Sequence, residues 1–257
     1  RYGPLKDFII GVRFVDGLGN YIRGGGKVVK NAAGFDFPKL FNGSLGRLSI
    51  LTELSFKVFP EPQTYVTLQT RVESAKEALQ IMPTLKGFDL EGVELDSKHQ
   101  LSLRLGYQEP TMETRKRALE SLIGNTLTMI LGENEPELWQ RIKRFAWLEP
   151  ESCLFKTVTH PESALKMIES IGTKDWKTHL TNGGKTLYFE VDSSADIEFL
   201  ETLLTEHKLT GLQLKGPVPS HPLIGNKASL KFVSRVQKAL DPKGVFQSFS
   251  SSTPVTA

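Results

Sequence analysis

A repeated order of predicted elements is the feature that most constrains the fold of this chain. Between residues 63 and 216, the hydrophobic pattern alternates between the strand period and the helix period in the order β-α-β-β-α-β, and then repeats that order. This order is typical of a split βαβ unit. The repetition lies in the order of elements and not in residue identity. We therefore predict an α+β fold with a cap domain at residues 63–216, built from two ferredoxin-like units.

The elements of both units are bounded by recognisable signals. Ser74 with Glu77, and Thr159 with Glu162, have the spacing of helix capping boxes, and Pro161 fits a first helical turn. We predict strands at 66–72, 93–96, 101–107, 126–131, 153–158, 177–180, 186–192 and 212–215. We predict helices at 74–82, 113–123, 135–146, 161–171 and 197–204.

The segments on either side of this cap have a different sequence pattern. A hairpin is predicted at 8–23, around the turn Asp16-Gly17-Leu18-Gly19-Asn20, and is followed by a glycine-rich loop. Alternating residues from 48 to 58 predict a further strand, which two prolines close. After a linker at 216–219, an amphipathic helix is predicted at 228–240.

Composition excludes several classes of function. The 257 residues include 32 basic and 29 acidic side chains that are interspersed, so nucleic acid is not an expected partner. The single cysteine, Cys153, excludes an internal disulfide and is predicted to be a small buried hydrophobe. The five histidines are scattered, and each is predicted to be a turn or surface residue. No pair of His or Cys has ligand spacing, so no metal is expected, and no catalytic base can be named.

The stretch richest in chemical information runs from residue 30 to residue 53. It reads K-N-A-A-G-F-D at 30–36 and G-S-L-G-R-L-S-I-L-T-E at 43–53. Glycines just before a strand let backbone amides approach a ligand closely and donate to its polar edge or phosphate. By spacing alone, such glycines more often mark an ordinary surface loop.

The residues themselves resemble the second half of the PCMH-type FAD-binding domain of the vanillyl-alcohol-oxidase-like flavoproteins. The pattern of that family runs K-N-x-A-G-Y-D and then G-S-x-G-x-L-G-I-x-T-E, with Phe35 here in place of Tyr and Ser49 in place of the last glycine. The opening Y-G-P-L-K-D-F-I-I-G-V and the closing K-A-L-D-P-K-G-V-F also resemble family segments. Family motifs therefore frame the predicted cap at both ends.

Within that family, the chain resembles the E subunits of bacterial glycolate oxidases. Catalytic D-type subunits carry a histidine-rich metal motif, whereas the corresponding hairpin here reads L-T-N-G-G-K at 180–185, with His179 alone beside it. The resemblance implies a flavoprotein that oxidises glycolate to glyoxylate by hydride transfer to FAD. It also implies a complex with a catalytic flavoprotein subunit and an iron-sulfur subunit. The cofactor contacts it implies are Lys30, Asn31, Gly34, Asp36, Gly43, Ser44, Gly46 and Ile50.

Several alternatives stay open at this point. Asp36 could equally order its own loop by accepting backbone N–H groups, and Lys30 could be a solvated surface charge. The protein could be a non-catalytic assembly subunit, or a dehydrogenase for lactate or another hydroxy acid.

The resemblance also divides the chain and places it in the cell. It implies the C-terminal half of an FAD-binding domain at 1–62, the cap at 63–216, and a linker with a C-terminal helix at 217–257 that packs back on the FAD domain. Without an initiator methionine, the chain is expected to be a fragment that lacks the pyrophosphate loop, does not retain FAD and is inactive alone. A cytoplasmic location is expected, with peripheral attachment to the inner membrane through the complex as the alternative.

Overall fold

The computed structural model describes residues 3–26, 34–172, 174–217, 222–228 and 230–248. These form two compact units, a larger one in 62–217 and 222–226 and a smaller one in 3–61 and 227–248. In chain order the elements are β1 (Ile9–Val15), β2 (Tyr21–Gly25), α1 (Phe37–Phe41), β3 (Ile50–Phe56), β4 (Tyr65–Arg71), α2 (Ala75–Ile81), β5 (Gly92–Leu95), β6 (Gln100–Gly106), α3 (Glu109–Ile123), β7 (Thr128–Ile130), α4 (Asn134–Lys143), β8 (Cys153–Val158), α5 (Pro161–Ile171), β9 (Thr178–Thr181), β10 (Thr186–Val191), α6 (Ser194–Glu206), β11 (Thr210–Lys215), β12 (Leu223–Gly225) and α7 (Leu230–Leu240). Short 3₁₀ helices lie at Leu5–Asp7 and Met82–Phe88.

The larger unit is built on one sheet of nine strands in the order β12-β11-β8-β10-β9-β5-β6-β4-β7. Within it, β7-β4-β6-β5 and β11-β8-β10-β9 are two copies of the same arrangement, each with the strand order of a split βαβ unit. The copies join edge to edge where β5 pairs with β9, with Leu95 opposite Leu180. The predicted α+β fold with two ferredoxin-like units is therefore confirmed.

The core of the larger unit lies between this sheet and four helices. Helices α2, α3, α5 and α6 each contribute buried apolar side chains to a single cluster with the strands. Leu68, Leu103, Phe155, Leu187 and Phe189 are fully buried strand members of that cluster. Burying a side chain of this size contributes about 1.5–3 kcal/mol, so this face of the sheet dominates the stability of the unit.

The smaller unit is a three-stranded antiparallel sheet in the order β2-β1-β3. Its core contains Val12 and Phe14 of β1, Phe41 of α1 and Leu48, with apolar residues of α7 packed against them. The predicted hairpin is present, since an oxygen of Asp16 accepts from the amides of Leu18 and Asn20, both at 2.9 Å. The C-terminal helix therefore completes the core of the N-terminal sheet.

Several local predictions were wrong, each for an identifiable reason. Ser74 caps α2 as predicted, accepting from the Glu77 amide at 3.2 Å. Thr159 does not cap α5, because His160 is the N-cap and the Thr159 hydroxyl donates to the His160 carbonyl at 3.2 Å. Helix α3 begins at Glu109, four residues before the predicted start, since a proline is accepted in a first turn. The short elements α1 and β12 were assigned to a loop and a linker.

Candidate functional site

The cofactor residues implied by the sequence fall in one stretch of the smaller unit. Gly34 and Asp36 precede α1, Ile50 opens β3, and Gly43, Ser44 and Gly46 lie in the loop between those elements. Lys30 and Asn31 lie outside the described residues. The structure thus places the six described members of the set before, within and after the connection from α1 to β3.

The loop from 43 to 46 has a backbone suited to close contact with a ligand. Gly43, Leu45 and Gly46 have φ values of +83°, +53° and +71°, the left-handed region that favours glycine. A Cβ added at Gly43 or Gly46 would meet no protein atom within 4 Å. The amides of Ser44 and Arg47 donate to the carbonyls of Phe41 and Ser44 at 3.1 and 3.0 Å. The glycine faces are therefore open to an approaching ligand.

Asp36 has a structural task in this geometry. It is the N-cap of α1, its carboxylate accepting from the Lys39 amide at 3.2 Å and lying 2.9 Å from Lys39 Nζ. The hydrogen bond from the Lys39 side chain lowers the pKa of Asp36. The loop-ordering role left open by the sequence is thus the one that the contacts display, and its cofactor role stays a prediction.

Three buried polar residues that the sequence did not single out as cofactor contacts either follow the glycine loop in the chain or hydrogen-bond to a residue that does. Arg47 is 3% exposed and donates to the Ser248 carbonyl at 2.5 Å, and burial lowers its pKa. Gln237 of α7 donates to the Arg47 carbonyl at 2.9 Å. The Ser49 hydroxyl is buried and has no hydrogen-bond partner in the described part of the chain. An orphaned buried hydroxyl three positions after an open glycine fits a site that binds a polar cofactor.

The closing D-P-K-G-V-F motif has a structural explanation. Asp241 is 4% exposed, and its two carboxylate oxygens accept from the amides of Val245 and Phe246 at 2.8 and 2.7 Å. The Gly17 amide donates to the Leu240 carbonyl at 2.8 Å, and a Cβ at Gly17 would lie 2.6 Å from Asp241 Cα. The motif therefore fixes the end of α7 against the β1–β2 turn.

Replacing Asp241 with alanine should destabilise the smaller unit by about 2–4 kcal/mol, because two amides lose a charged acceptor in a buried turn. Urea unfolding of the chain followed by circular dichroism measures the change. Asp7→Ala, at an exposed position of the same unit, is the control and should change the free energy of unfolding by less than about 0.5 kcal/mol. Equal effects of the two substitutions would contradict this role for Asp241.

A second candidate region lies on the sheet of the larger unit, on the face opposite the helices. Cross-strand pairing aligns polar side chains from one strand to the next, since residues directly opposite each other project to the same face. His179 is opposite Tyr188, Tyr188 opposite Lys156, Glu94 opposite Ser102, and Ser102 opposite Gln69. A row of polar side chains therefore crosses the middle of the sheet.

At the join between the two ferredoxin-like units, this row contains a buried, hydrogen-bonded couple. His179 Nε2 lies 2.8 Å from Glu94 Oε2, and the two residues are 5% and 9% exposed. Burial raises the pKa of Glu94, and the hydrogen bond with His179 opposes that shift. Burial also raises the pKa of neighbouring Tyr188. Polar groups held in this way, away from water, are candidates for chemistry.

The prediction for the histidines was therefore wrong at His179. It lies buried in β9, because the strand alternation that points Leu180 into the core points His179 to the opposite face of the sheet. The other described histidines do lie at turns and helix ends: His99 in the β5–β6 turn, His160 before α5 and His207 after α6. His221 lies outside the described residues. Glu94, the partner of His179, lies 85 positions away, so the two could not be paired from sequence.

Residues 144–150, which we call the cover segment, pack over this couple. The Trp147 indole stacks on the His179 ring, with 5.8 Å between centroids and 10° between planes. Lys177 Nζ lies 2.5 Å from Glu149 Oε1 and 3.1 Å from Glu190 Oε2, while Glu190 Oε1 accepts from the Glu149 amide at 2.6 Å. Glu190 of β10 and Lys177, which directly precedes β9, therefore hold the cover segment against the sheet.

Other site types find less support in the described ranges. No cluster of three or more His, Cys, Asp and Glu side chains suited to a metal ion occurs among those residues. Cys153 is buried as predicted, and burial raises the pKa of its thiol. No described helix combines the length and apolar character that crossing a membrane requires.

Comparison with known proteins identifies sequence relatives among hydroxy-acid oxidoreductases. The chain is 43% identical over 77 residues to glycolate oxidase subunit GlcE of Escherichia coli, which covers 30% of this chain and 22% of the relative. It is 42% identical over 80 residues to glycolate oxidase subunit GlcD of Bacillus subtilis, covering 31% and 17%. A D-lactate dehydrogenase of Archaeoglobus fulgidus is 23% identical over 180 residues, covering 68% and 33%. The matched residues thus span less than a quarter of either glycolate oxidase subunit.

Solved structures extend the similarity over nearly the whole chain. Substrate-bound p-cresol methylhydroxylase matches with a TM-score of 0.60 at 12% identity, covering 91% of this chain and 63% of the other. The 4-ethylphenol oxidase of Gulosibacter chungangensis matches with a TM-score of 0.59 at 12% identity, covering 95% and 66%. No family model matches the sequence. In sequence the chain is similar to glycolate oxidase subunits over part of its length, and in fold it is similar to p-cresol methylhydroxylase and 4-ethylphenol oxidase.

Proposed function

We propose that this chain is part of an FAD-dependent oxidoreductase that converts glycolate, or a related 2-hydroxy acid, to the 2-oxo acid. The observation that carries the proposal is the open left-handed loop at Gly43–Gly46, in a stretch that follows the FAD-binding pattern. The names of the sequence relatives supply the substrate class, since they include glycolate oxidase subunits and D-lactate dehydrogenases. We assign residues 1–62 and 217–257 to the FAD domain and 63–216 to the cap.

In this proposal the amides of Gly43, Leu45 and Gly46 donate to polar atoms of the cofactor, and the Ser49 hydroxyl gains its missing partner. Bound FAD supplies the acceptor for a hydride. The remaining proposed contacts are Lys30, Asn31, Gly34, Asp36, Ser44 and Ile50. We propose that the chain by itself does not retain FAD.

We propose the complex on the names of two glycolate oxidase subunits to which the chain is similar. We propose a catalytic flavoprotein subunit as one partner and an iron-sulfur subunit, which receives the electrons, as another. Peripheral attachment to the inner membrane would then come through the complex, with the chain on its cytoplasmic side.

The direct test is purification of the full-length protein with its partner subunits. We expect visible flavin absorbance and glycolate-dependent reduction of an artificial dye. A complex that assembles fully but has neither property would overturn the proposal. D-lactate in place of glycolate tests the substrate, and a kcat/KM at least tenfold higher for D-lactate would reassign it.

A non-catalytic assembly role is the second candidate, and one feature favours it. The β9–β10 hairpin carries Asn182 and Gly183 in left-handed conformations, and its sequence lacks the histidine-rich motif expected of a catalytic D-type subunit. Under this alternative, all flavin in the complex would belong to the partner subunit. Quantifying flavin in this subunit after separation under native conditions distinguishes the two candidates.

A further inference from the structure

We propose that the cover segment is a proton-linked lid on the sheet of the larger unit. It stays docked while the Glu94–His179 couple holds one titratable proton and is electrically neutral, and it opens when the couple releases that proton to water. Opening uncovers the polar row of the sheet at His179. The inference concerns the larger unit alone, so its outcome does not depend on the proposed function.

One ring contact joins the cover segment to the couple. The Trp147 indole lies parallel to the His179 imidazole, and Nε2 of that imidazole lies 2.8 Å from Glu94 Oε2. The other imidazole nitrogen, Nδ1, is buried. While Trp147 stays in place, a charge on the couple therefore has little access to water.

The cover segment itself is held by shallow contacts. None of its seven residues is buried, and Phe145 has φ = +52°, a strained value for a residue with a side chain. Lys177 and Glu149 hold it through side chains that are 36% and 66% exposed, and exposed ion pairs add little stability. Lys215 Nζ donates to the Pro150 carbonyl at 2.8 Å. The docked form therefore has only a small advantage over the open form.

Two buried nitrogens at the ring contact reduce that advantage further. His179 Nδ1 and Trp147 Nε1 have no hydrogen-bond partner among the described residues. If Glu94 holds the titratable proton, it donates to Nε2 and the imidazole hydrogen lies on Nδ1; if His179 holds the proton, both nitrogens carry hydrogen. In either case Nδ1 is a donor, and it cannot pair with the indole N–H. Nδ1 is unpaired without the proton as well, so the direction of the pH effect comes from charge.

The charges around the couple cancel among the described residues. Two ammonium groups oppose two carboxylates, a buried arginine is paired with a glutamate, and a buried tyrosine is neutral because burial raises its pKa. These groups are Lys156 of β8, Lys177 before β9, Glu149 of the cover segment, Glu190 and Tyr188 of β10, and Arg104 of β6 with Glu135 of α4. A couple that has lost its proton therefore has a buried negative charge without a counter-ion.

The direction of the pH effect follows from Glu94. Burial raises its pKa, and the hydrogen bond with His179 opposes that rise. An acid whose pKa is raised in the docked form binds its proton more tightly there than in the open form. Docking is therefore favoured at low pH and is lost as the pH rises through the raised pKa of Glu94. Above it, the ionised couple gains water only when Trp147 leaves the imidazole.

Hydrogen–deuterium exchange of the cover segment, measured by mass spectrometry on the chain of 257 residues, tests the inference. The Leu148 amide is bonded to the Phe145 carbonyl and the Glu149 amide to Glu190 Oε1, so both report on docking. After correction for the intrinsic pH dependence of exchange, we expect protection to fall between about pH 6 and about pH 9, by up to about tenfold per pH unit. Helix α5 should keep its protection. A wild-type cover segment with the same protection at every pH would overturn the inference.

Three variants assign the pH dependence to the couple. Glu94→Gln keeps the shape of the side chain but cannot release a proton, so its protection should not change with pH. Glu137→Gln, the same substitution at an exposed position of α4, should keep the wild-type slope. Lys177→Met should lower protection at every pH and also keep the slope, because the hydrogen bond with Glu149 raises the pKa of Lys177 and keeps it charged.

The outcomes that contradict the inference are distinct for each variant. A wild-type slope in Glu94→Gln would show that the couple does not control docking. Loss of the slope in Lys177→Met would assign the pH dependence to the ionic contacts of the cover segment and would overturn the inference even if Glu94→Gln did not fold. Flavin content and turnover of the complex do not enter these measurements, so failure of the proposed function would be seen separately.

Discussion

Gly43→Val is expected to weaken FAD binding by the full-length protein at least about tenfold, so that less flavin stays with the purified protein. At φ = +83° a β-branched side chain is strained by about 1–2 kcal/mol, but it meets no protein atom within 4 Å. The fold should therefore tolerate the substitution, whereas a cofactor lying against the glycine would collide with the new methyl groups. Flavin absorbance per mole of purified protein measures the loss.

Gly19→Val is a closely matched control for this experiment. Gly19 lies in the same unit, has φ = +85° and is equally open, but it belongs to the β1–β2 turn. The two variants should lose similar free energy of unfolding, and only Gly43→Val should lose flavin. Equal flavin content in both variants would remove the 43–46 loop from the cofactor site.

Replacing Glu135 with alanine is expected to destabilise the larger unit by about 3–5 kcal/mol. Glu135 is 2% exposed, and its two carboxylate oxygens accept from Arg104 at 2.8 and 3.0 Å. Thr67 donates to the same carboxylate at 2.9 Å and accepts from the Trp139 indole at 2.8 Å. Losing the carboxylate strands a largely buried guanidinium and breaks this network. Typical domain stabilities are about 5–15 kcal/mol, so the effect is a large part of the total.

Glu137→Ala, an exposed position on the same helix, is the control for that prediction and should change stability by less than about 0.5 kcal/mol. Urea unfolding of the chain provides both values. The double variant Arg104→Met with Glu135→Ala should recover part of the loss, because the stranded charge is gone. If Glu135→Ala lowered the free energy of unfolding by less than about 1 kcal/mol, the Arg104–Glu135 pair would not be essential to the stability of the unit.

The order of elements was predictable from sequence because each one is encoded locally. The alternation of β8 and the Ser74 capping spacing depend on neighbours a few positions apart, and the structure has both. The joining of both units into one nine-stranded sheet could not be predicted from local patterns, because it depends on the pairing of Leu95 with the distant Leu180. Helix α1 was missed because it has only five residues, with Pro38 among them and Gly34 shortly before them, and both residue types are typical of loops.

The candidate site likewise has one part that was predictable from local sequence and one that was not. The glycine loop was visible because a ligand-binding backbone needs glycine at particular positions, and Gly43 and Gly46 occupy left-handed positions. The Glu94–His179 couple was invisible, since its members belong to different halves of the sheet and neither stands in a motif. Single residues whose chemistry comes from tertiary contacts carry no local signal.

Anaerobic mixing of the purified full-length complex with glycolate tests the central claim most directly. If this chain helps to bind an FAD that oxidises 2-hydroxy acids, the visible flavin absorbance will bleach on addition of glycolate alone. The bleached amount will be smaller in a complex carrying Gly43→Val, by the flavin that this subunit contributes. Bleaching of the same size in both complexes, or none in the wild-type complex, would contradict the account.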